Sequence, residues 1–367
     1  MNLLFETMLS NSGKPDEMSA GSASYCCSYA SQFFYIGGLL QKWLKESARL
    51  LRVVKFGIHL PQIGVDYGAI KNVALTCEHV GFQTVWVTDH LLPIEGSLQE
   101  SYLECWTTLS ALAEATSTVR IGTMVLCNLY RYPPILAKMA ATLDLISRGR
   151  LDFGLGAGWF KPESDAFGVP FPKASVRIEM LNEALEVLEK MWAEEKPVFR
   201  GKYYRINEAS CNPKPVQKPH PPVWIGTQTG GKLMYQTVAK HADGWAVGAW
   251  YLPSVDEYKQ MADQVKLHCS QVGRDFERLE KGLGVVCILA EDKTILDEKI
   301  KKYRPAESPL DEYGATKMQI RGTPDVCVEI LRKYVEAGVD HFMMVFPDGT
   351  NLETIRLFGE QVIPFLK

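Results

Sequence analysis

Two adjacent titratable residues, Asp89 and His90, are the strongest candidates for chemistry in this sequence. They follow Thr84–Thr88, a run that is β-branched or aromatic throughout. Such a run is typical of a parallel strand buried on both faces, and in α/β proteins ligands bind at the carboxyl ends of parallel strands. A histidine there can give or take a proton near neutral pH. The alternative is an aspartate that caps a helix beside a surface histidine.

Two glycine-rich segments are candidates for contact with a cofactor. Thr229–Gly231 lies where a predicted strand turns into a helix, so its backbone N–H groups could bind a phosphate at the positive helix end. The alternative is a plain tight turn. Gly154, Gly156 and Gly158, spaced by two, indicate a strand in close contact with a ligand or another backbone, or a strand packed tightly within the fold.

The other predicted strand ends are aromatic and carry few charges. Gln62 follows the first strand, Cys127–Tyr132 the third, Trp159 the fourth, and the sixth offers Trp245 and Trp250. A binding site lined by such strand ends suits a flat heteroaromatic cofactor better than a highly charged small substrate. No histidine or cysteine spacing indicates a metal site, and no Gly-x-Ser-x-Gly elbow supports nucleophilic hydrolysis.

A repeated strand–helix pattern positions these residues. The predicted strands cover 53–60, 84–88, 119–126, 150–155, 223–226, 244–247, 282–289 and 341–346. The predicted helices cover 69–80, 103–115, 133–146, 174–192, 231–241, 254–272, 324–337 and 352–366. Eight such units favour a closed (β/α)8 TIM barrel, with insertion segments after strands 4 and 7, over an open doubly wound sheet. The open sheet would carry a glycine fingerprint after its first strand, which Leu60–Gly64 is not.

The composition argues against several functional classes. Forty Lys+Arg against 43 Asp+Glu give a formal net charge of −3, which indicates neither a nucleic-acid nor a membrane partner. No apolar stretch approaches the roughly 20 residues that span a bilayer, and the first ten residues lack the basic start of a secretory signal. The nine cysteines show no C-x-x-C spacing, so we expect a reduced, cytoplasmic protein.

Residues 1–52 do not share the strand–helix pattern. The segment 11–24 is rich in Ser and Gly with few apolar residues, which favours disorder. We expect residues 1–52 to be a disordered extension or an over-long gene start, and residues 53–367 to form the catalytic domain.

Short motifs in a fixed order run through the second region. They are Lys55–Pro61, Val85–His90, Arg120–Thr123, Leu136–Lys138 with Ala141–Asp144, Gly149–Arg150 with Gly154–Trp159, Val223–Gly226 and Ala242–Trp245. Each is modest alone, but the ordered set resembles the bacterial luciferase-like oxidoreductases, specifically the branch that uses the deazaflavin coenzyme F420. The resemblance covers roughly residues 53–367.

The resemblance implies a barrel that binds F420, or alternatively FMN, across the strand ends. It implies that Asp89 and His90 face the cofactor ring, with His90 as proton donor or acceptor, and that the Met124–Val125 peptide behind the ring is cis. The expected cofactor-binding residues are Asp89, Met124, Val125, Cys127, Gly156, Gly158, Thr229, Gly230 and Gly231. The expected substrate-pocket residues are Gln62, Trp159, Trp245 and Trp250.

Departures from the family pattern bear on the substrate. The family's sugar-phosphate dehydrogenases carry a Glu where Trp159 stands and a Lys near Tyr251, which argues against glucose 6-phosphate here. The preferred hypothesis is that the protein is an F420-dependent oxidoreductase acting on a small, mainly apolar carbonyl, enone or alcohol. The alternatives are an FMN-dependent monooxygenase supplied with reduced flavin by a separate reductase, and a non-catalytic flavin-binding protein.

The apolar content of two predicted helices bears on the quaternary structure. The predicted helices 103–115 and 133–146 carry more apolar residues than one core-facing stripe needs, and the resemblance implies pairing through this region. The residues in question are Trp106, Leu109, Leu112, Met139 and Leu143. We therefore expect a homodimer.

Overall fold

A closed ring of parallel strands forms the centre of the fold. The computed structural model describes residues 53–94, 96–227, 230–248, 252–303 and 319–366. The strands of the described residues are β1 (Lys55–His59), β2 (Thr84–Val87), β3 (Arg120–Thr123), β4 (Leu126–Cys127), β5 (Leu151–Gly156), β6 (Val198–Arg200), β7 (Arg205–Asn207), β8 (Val223–Thr227), β9 (Gly244–Gly248), β10 (Glu280–Leu289), β11 (Ile320–Gly322) and β12 (His341–Val345). Eight of them pair in the order β12-β1-β2-β3-β5-β8-β9-β10, and β10 returns to β12, so the ring is closed. The predicted (β/α)8 barrel is confirmed.

Helices surround the ring on the outside. The α-helices of the described residues are α1 (Tyr67–Val80), α2 (Cys105–Ala115), α3 (Pro133–Ile146), α4 (Lys161–Ala166), α5 (Ala174–Ala193), α6 (Lys232–His241), α7 (Val255–Gln271), α8 (Lys293–Lys302), α9 (Pro324–Glu336) and α10 (Leu352–Gln361). Short 3-10 turns cover Phe276–Arg278 and Ile363–Phe365. None of these helices is long and apolar enough to cross a membrane.

The larger excursions of the chain leave the barrel after its fourth and seventh strands. Between β5 and β8 lie α4, α5 and the antiparallel hairpin β6–β7; between β10 and β12 lie α8, β11 and α9. The helices α4 and α8 and the short strand β11 had no counterpart in the predicted pattern. The last predicted helix also ends early, at Gln361, because Pro364 has no N–H to continue it.

Alternation along the strands separates two packing layers. Trp86 and Trp224 point into the barrel, where they pack with Ala246 and Met343 beneath Met124. Large indoles fit there because neighbouring inward positions are glycine: a Cβ at Gly122 would lie 2.2 Å from the Trp86 ring. These side chains fill the barrel interior, which leaves the ends of the strands to form a site.

The apolar residues expected to form a dimer surface lie in the core instead. Trp106, Leu109, Leu112 and Leu143 are buried between the barrel and its helices, and Met139 is half-buried. The excess apolar residues of α2 and α3 therefore pack within the protomer. The exposed apolar residues of this region are different ones, on and beside α3.

The barrel closes with residues from 53 onward. The first strand pairs with β2 on one side and β12 on the other, and the Lys55 N–H donates to the Asp340 carbonyl. Residues 1–52, including the extension predicted there, lie outside the described residues.

We expect a variant that begins at Val53 to express and fold normally, because the described strands complete the ring without earlier residues. The measurement is its melting temperature and cofactor affinity beside those of the full chain. A large fall in melting temperature would show that residues 1–52 contribute to the fold.

Candidate active site at the barrel mouth

The histidine at the end of β2 is held by a buried carboxylate. The Nδ1 atom of His90 lies 3.0 Å from Oε2 of Glu163, whose side chain is fully buried. The other oxygen, Oε1, accepts the backbone N–H groups of Leu91 and Leu92, and the Tyr130 hydroxyl donates to Oε2. Burial alone would raise the pKa of Glu163, but the hydrogen bonds from His90, Tyr130 and Leu91 more than offset it and lower the pKa. Glu163 is therefore ionised at neutral pH.

Aromatic rings enclose the same histidine on several sides. The ring centroids of Trp159, Phe160 and Tyr102 lie 5.8, 6.0 and 6.3 Å from that of His90, all edge to face. Nε2 makes no hydrogen bond with another described residue. The arrangement presents one imidazole nitrogen within an apolar surround.

The aspartate beside it belongs to a different network. Both Asp89 oxygens accept from the Arg131 guanidinium, at 2.7 and 3.0 Å, and Oδ2 also accepts the Cys127 N–H at 2.8 Å. Arg131 reaches on to Glu104 Oε1 at 2.6 Å. Burial alone would lower the pKa of Arg131, but the hydrogen bonds and charge of Asp89 raise it. Asp89 thus ties β2 to the segment after β4, and it does not hydrogen-bond to His90.

The Met124–Val125 peptide is cis, as the resemblance implied, and it lies against the glycines of β5. A Cβ at Gly156 would be 2.7 Å from a Val125 methyl, and one at Gly154 would be 1.9 Å from the Thr123 carbonyl oxygen. At Gly158, with φ of +78°, a Cβ would meet the Cys127 sulfur at 2.7 Å. Of the interpretations given above for these glycines, the geometry favours close contact with neighbouring segments of the same chain.

On three strands the inward position nearest the mouth is a glycine. The inward positions of β5, β8 and β9 nearest the strand ends are Gly156, Gly226 and Gly248, and a Cβ at Gly226 would press on Val125. On the opposite side His59 ends β1 with its Nε2 buried and unpaired among the described residues. Burial lowers the pKa of His59 to about 4, so it is neutral at pH 7. A flat ring with hydrogen-bonding edges fits such a setting.

Several predicted site residues meet here, but others do not. Asp89, His90, Met124, Val125, Cys127, Gly156, Gly158 and Trp159 are joined by the contacts given above. Gln62 is buried beside them and fixes the loop after β2: it accepts the Thr88 N–H and donates to the Thr88 and Leu103 carbonyls.

Trp245 is placed differently from its prediction as a pocket wall. It is fully buried, its ring stacks on Tyr258 of α7, and its indole N–H donates to Thr227. Gly244 and Ala246 are the inward residues of β9, so Trp245 faces the helices by alternation. This position does not fit a substrate contact.

The predicted phosphate-binding turn is only partly described. Gly230 and Gly231 precede α6, with φ of +79° and +121°, and Gly231 caps the helix without a side-chain hydrogen bond. Thr229, like Trp250, lies outside the described residues. Phosphate binding at this turn stays a prediction.

From the sequence, three residues of the site were assigned no role. Arg131 and Tyr130 stood in the segment after the third strand, where a buried carboxylate at Asp89 called for a cation. Glu163 gave no local signal, because it lies in the short helix α4 of the insertion after β5. Only the fold brings it to His90, which is 73 residues away in sequence.

Comparisons with known proteins bear on the family and the fold of the chain. The sequence model described as luciferase-like monooxygenase matches residues 53–341. A relative from Amycolatopsis mediterranei named F420-dependent glucose-6-phosphate dehydrogenase is 28% identical over 324 residues, covering 81% of this chain and 94% of the relative. An F420-dependent secondary alcohol dehydrogenase bound to an F420–acetone adduct has a similar structure, with a TM-score of 0.73 at 22% identity over 86% of this chain and 99% of that one. Monooxygenase RslO1 of Streptomyces bottropensis gives 0.68 at 23% identity over 84% and 99%.

Proposed function

Because the chain belongs to the luciferase-like monooxygenase family, we propose that it is an F420-dependent oxidoreductase acting on a small, mainly apolar carbonyl, enone or alcohol. The observation that carries the proposal is His90, whose Nδ1 is engaged by Glu163 while Nε2 lies within a surround of aromatic rings. A proton donor and acceptor in an apolar enclosure is what the interconversion of a carbonyl and an alcohol requires.

The named relative favours F420 over FMN. The relative that the chain matches over 94% of its length is named for F420. A deazaflavin carries carbon where a flavin has its reactive ring nitrogen, so when bound it supplies or accepts a hydride and does not readily activate oxygen. The solved monooxygenases share the fold at low identity, which supports the barrel and not a choice of cofactor.

The residues around the mouth suit a flat heteroaromatic ring. Val125, backed by the glycines of β5 and β8, offers an apolar surface. On the other side the neutral His59 offers a nitrogen to which no described residue hydrogen-bonds. In the proposal these residues bind and orient the ring, while Gly230 and Gly231 approach its phosphate.

The substrate class follows from the wall next to His90. Trp159 packs on both His90 and Phe160, with ring centroids 5.8 and 5.2 Å away. A sugar phosphate would have to bury hydroxyls and a dianion against these rings, which is costly without polar partners. A small apolar ketone, enone or alcohol would instead exclude water from the imidazole, so we place glucose 6-phosphate outside the expected range.

The test offers both cofactors to the purified full-length protein. We expect F420 to bind with quenching of its fluorescence, and FMN to bind more weakly. Reduced F420 should then be oxidised by a panel of small ketones and enones but not by gluconolactone 6-phosphate, the oxidised product of glucose 6-phosphate. Tighter binding of FMN, with oxygen consumption when a flavin reductase is added, would replace the proposal by the monooxygenase alternative.

We further propose that the protein is a homodimer formed through α3. Tyr132, Ile135 and Ile146 lie on one stripe of this helix, and Ile135 is 60% exposed. Exposed apolar side chains grouped on one face of a helix are typical of an interface.

Light scattering at micromolar concentration should therefore give twice the chain mass of 41.2 kDa. Ile135→Asp should give the single mass, because it places a charge in the stripe. Leu267→Asp, on the exposed face of α7, is the matched control and should stay dimeric. A single mass for the unaltered protein contradicts the proposal.

A further inference from the structure

Glu163 is the residue at the mouth to which the proposed function assigns no role beyond its contact with His90. It comes from α4, outside the barrel strands, yet its carboxylate is fully buried and accepts four hydrogen bonds. The contacts with Leu91, Leu92 and Tyr130 would be enough to hold the loops after β2 and β4 in place. The contact with the imidazole of His90 is additional to them.

The donors around Glu163 decide which His90 nitrogen carries the hydrogen. The Leu91 and Leu92 N–H groups can only donate, and an ionised carboxylate can only accept. Tyr130 therefore donates its hydroxyl hydrogen, and Nδ1 of His90 must donate as well. Because one ring nitrogen of a neutral imidazole carries the hydrogen, Nε2 is left as the base.

From this geometry we infer that Glu163 is a positioning residue that fixes the Nδ1–H tautomer and the orientation of His90, and that Nε2 is the atom that exchanges the proton with the substrate oxygen. The inference rests on the proposed function for the substrate step alone. In the reducing direction Nε2–H gives its proton to the oxygen and becomes neutral, and in the oxidising direction Nε2 takes the proton of the alcohol. Glu163 stays ionised throughout and balances the imidazolium charge.

The first test needs no cofactor. Long-range proton–nitrogen NMR spectra of protein with ¹⁵N-labelled histidine distinguish the two neutral tautomers, and His90→Gln identifies the His90 signals among the seven histidines. At alkaline pH we expect His90 as Nδ1–H. In Glu163→Gln the new amide must donate toward Nδ1, so the Nε2–H tautomer should replace it. Tyr130→Phe leaves the Glu163–His90 contact intact and should keep Nδ1–H.

The second test uses turnover. Glu163→Gln should lower kcat about 10²-fold, within the range of general acid–base catalysis, while KM and F420 affinity change by less than about fivefold. Its pH–rate profile should change, because a neutral amide replaces the carboxylate that faces the ring. Asp165→Asn makes the same carboxylate-to-amide change on the exposed face of α4, and its rate should be unaltered.

Two outcomes overturn the inference: His90 in the unaltered protein as the Nε2–H tautomer, or Glu163→Gln with unaltered rate and pH profile. The tautomer of His90 in the unaltered protein tests the inference even if the Glu163→Gln variant does not fold. A protein that shows Nδ1–H but neither binds nor oxidises reduced F420 would contradict the proposed function and leave the positioning role standing.

Discussion

Replacing His90 by alanine should lower kcat about 10²- to 10⁴-fold, the usual contribution of a positioned acid–base group, and keep F420 affinity within a few-fold. The substrate oxygen gains a proton when a carbonyl is reduced and loses one when an alcohol is oxidised. Nε2 of His90 lies within the aromatic surround and hydrogen-bonds to no other described residue. The fold should survive, because Glu163 keeps the Leu91, Leu92 and Tyr130 donors when the ring is gone.

The measurement is steady-state turnover across the pH range, together with fluorescence titration of F420. His79→Ala is the matched control, since His79 is exposed on α1 away from the mouth, and its rate should be unchanged. A His90→Ala protein that turns over at the normal rate at every pH would make His90 only a wall of the pocket.

Much of the fold was predictable because local signals and the barrel agree. Helix α3 has the predicted bounds, since Pro133 begins it and the apolar residues keep a helical period. Gly81 ends α1 in the left-handed conformation, with φ of 92°, as a helix-stopping glycine should. The strand before Asp89 is buried at all four positions, as its unbroken β-branched and aromatic run indicated.

The parts that failed depend on contacts distant in sequence. The expected dimer residues of α2 and α3 had the composition of an interface, but whether Leu109 faces a partner or the barrel is decided by packing. Trp245 was assigned to the mouth for its aromatic character, although the small residues Gly244 and Ala246 on the other face of β9 already indicated the opposite side. Strand alternation was the better guide there.

The candidate site also contains residues that the sequence identified and residues that only the fold reveals. The motif that ends β2 identified Asp89 and His90, but their partners come from other strand ends, Arg131 from the third and Glu163 from the insertion after the fourth. Neither pair has a fixed spacing. A sequence can therefore point to the reactive group, while the residues that tune it appear only when the barrel brings the loops together.

The predicted role of Asp89 changes with these partners. Its side chain is fully buried, both oxygens bind Arg131, and Arg131 is itself only 13% exposed. Asp89 was expected to face the cofactor ring, but its hydrogen bonds go to Arg131 and Cys127. We therefore expect Asp89 to support cofactor binding by holding the segment after β4 in place.

Asp89→Asn should destabilise the fold by about 3–5 kcal/mol, the usual cost of removing one partner from a buried ion pair, or roughly 5 °C or more in melting temperature. An amide oxygen at the Oδ2 position still accepts from Cys127 and from one Arg131 N–H, but the NH2 group then faces the other Arg131 N–H. The negative charge of Asp89 is lost, and the ionic partner that Arg131 keeps is the more exposed Glu104. F420 affinity should fall in the same variant at temperatures where it remains folded.

Asp152→Asn is the matched control for that experiment. Asp152 binds Arg120 through two hydrogen bonds of 2.9 and 2.7 Å, and both residues lie at the amino ends of β5 and β3, far from the mouth. This variant should also melt at a lower temperature, but it should bind F420 normally once folded. If the two variants lose stability equally and both bind F420 with unaltered affinity, Asp89 has no part in the cofactor site. If Asp89→Asn melts at the same temperature as the unaltered protein, the buried pair with Arg131 does not stabilise the barrel.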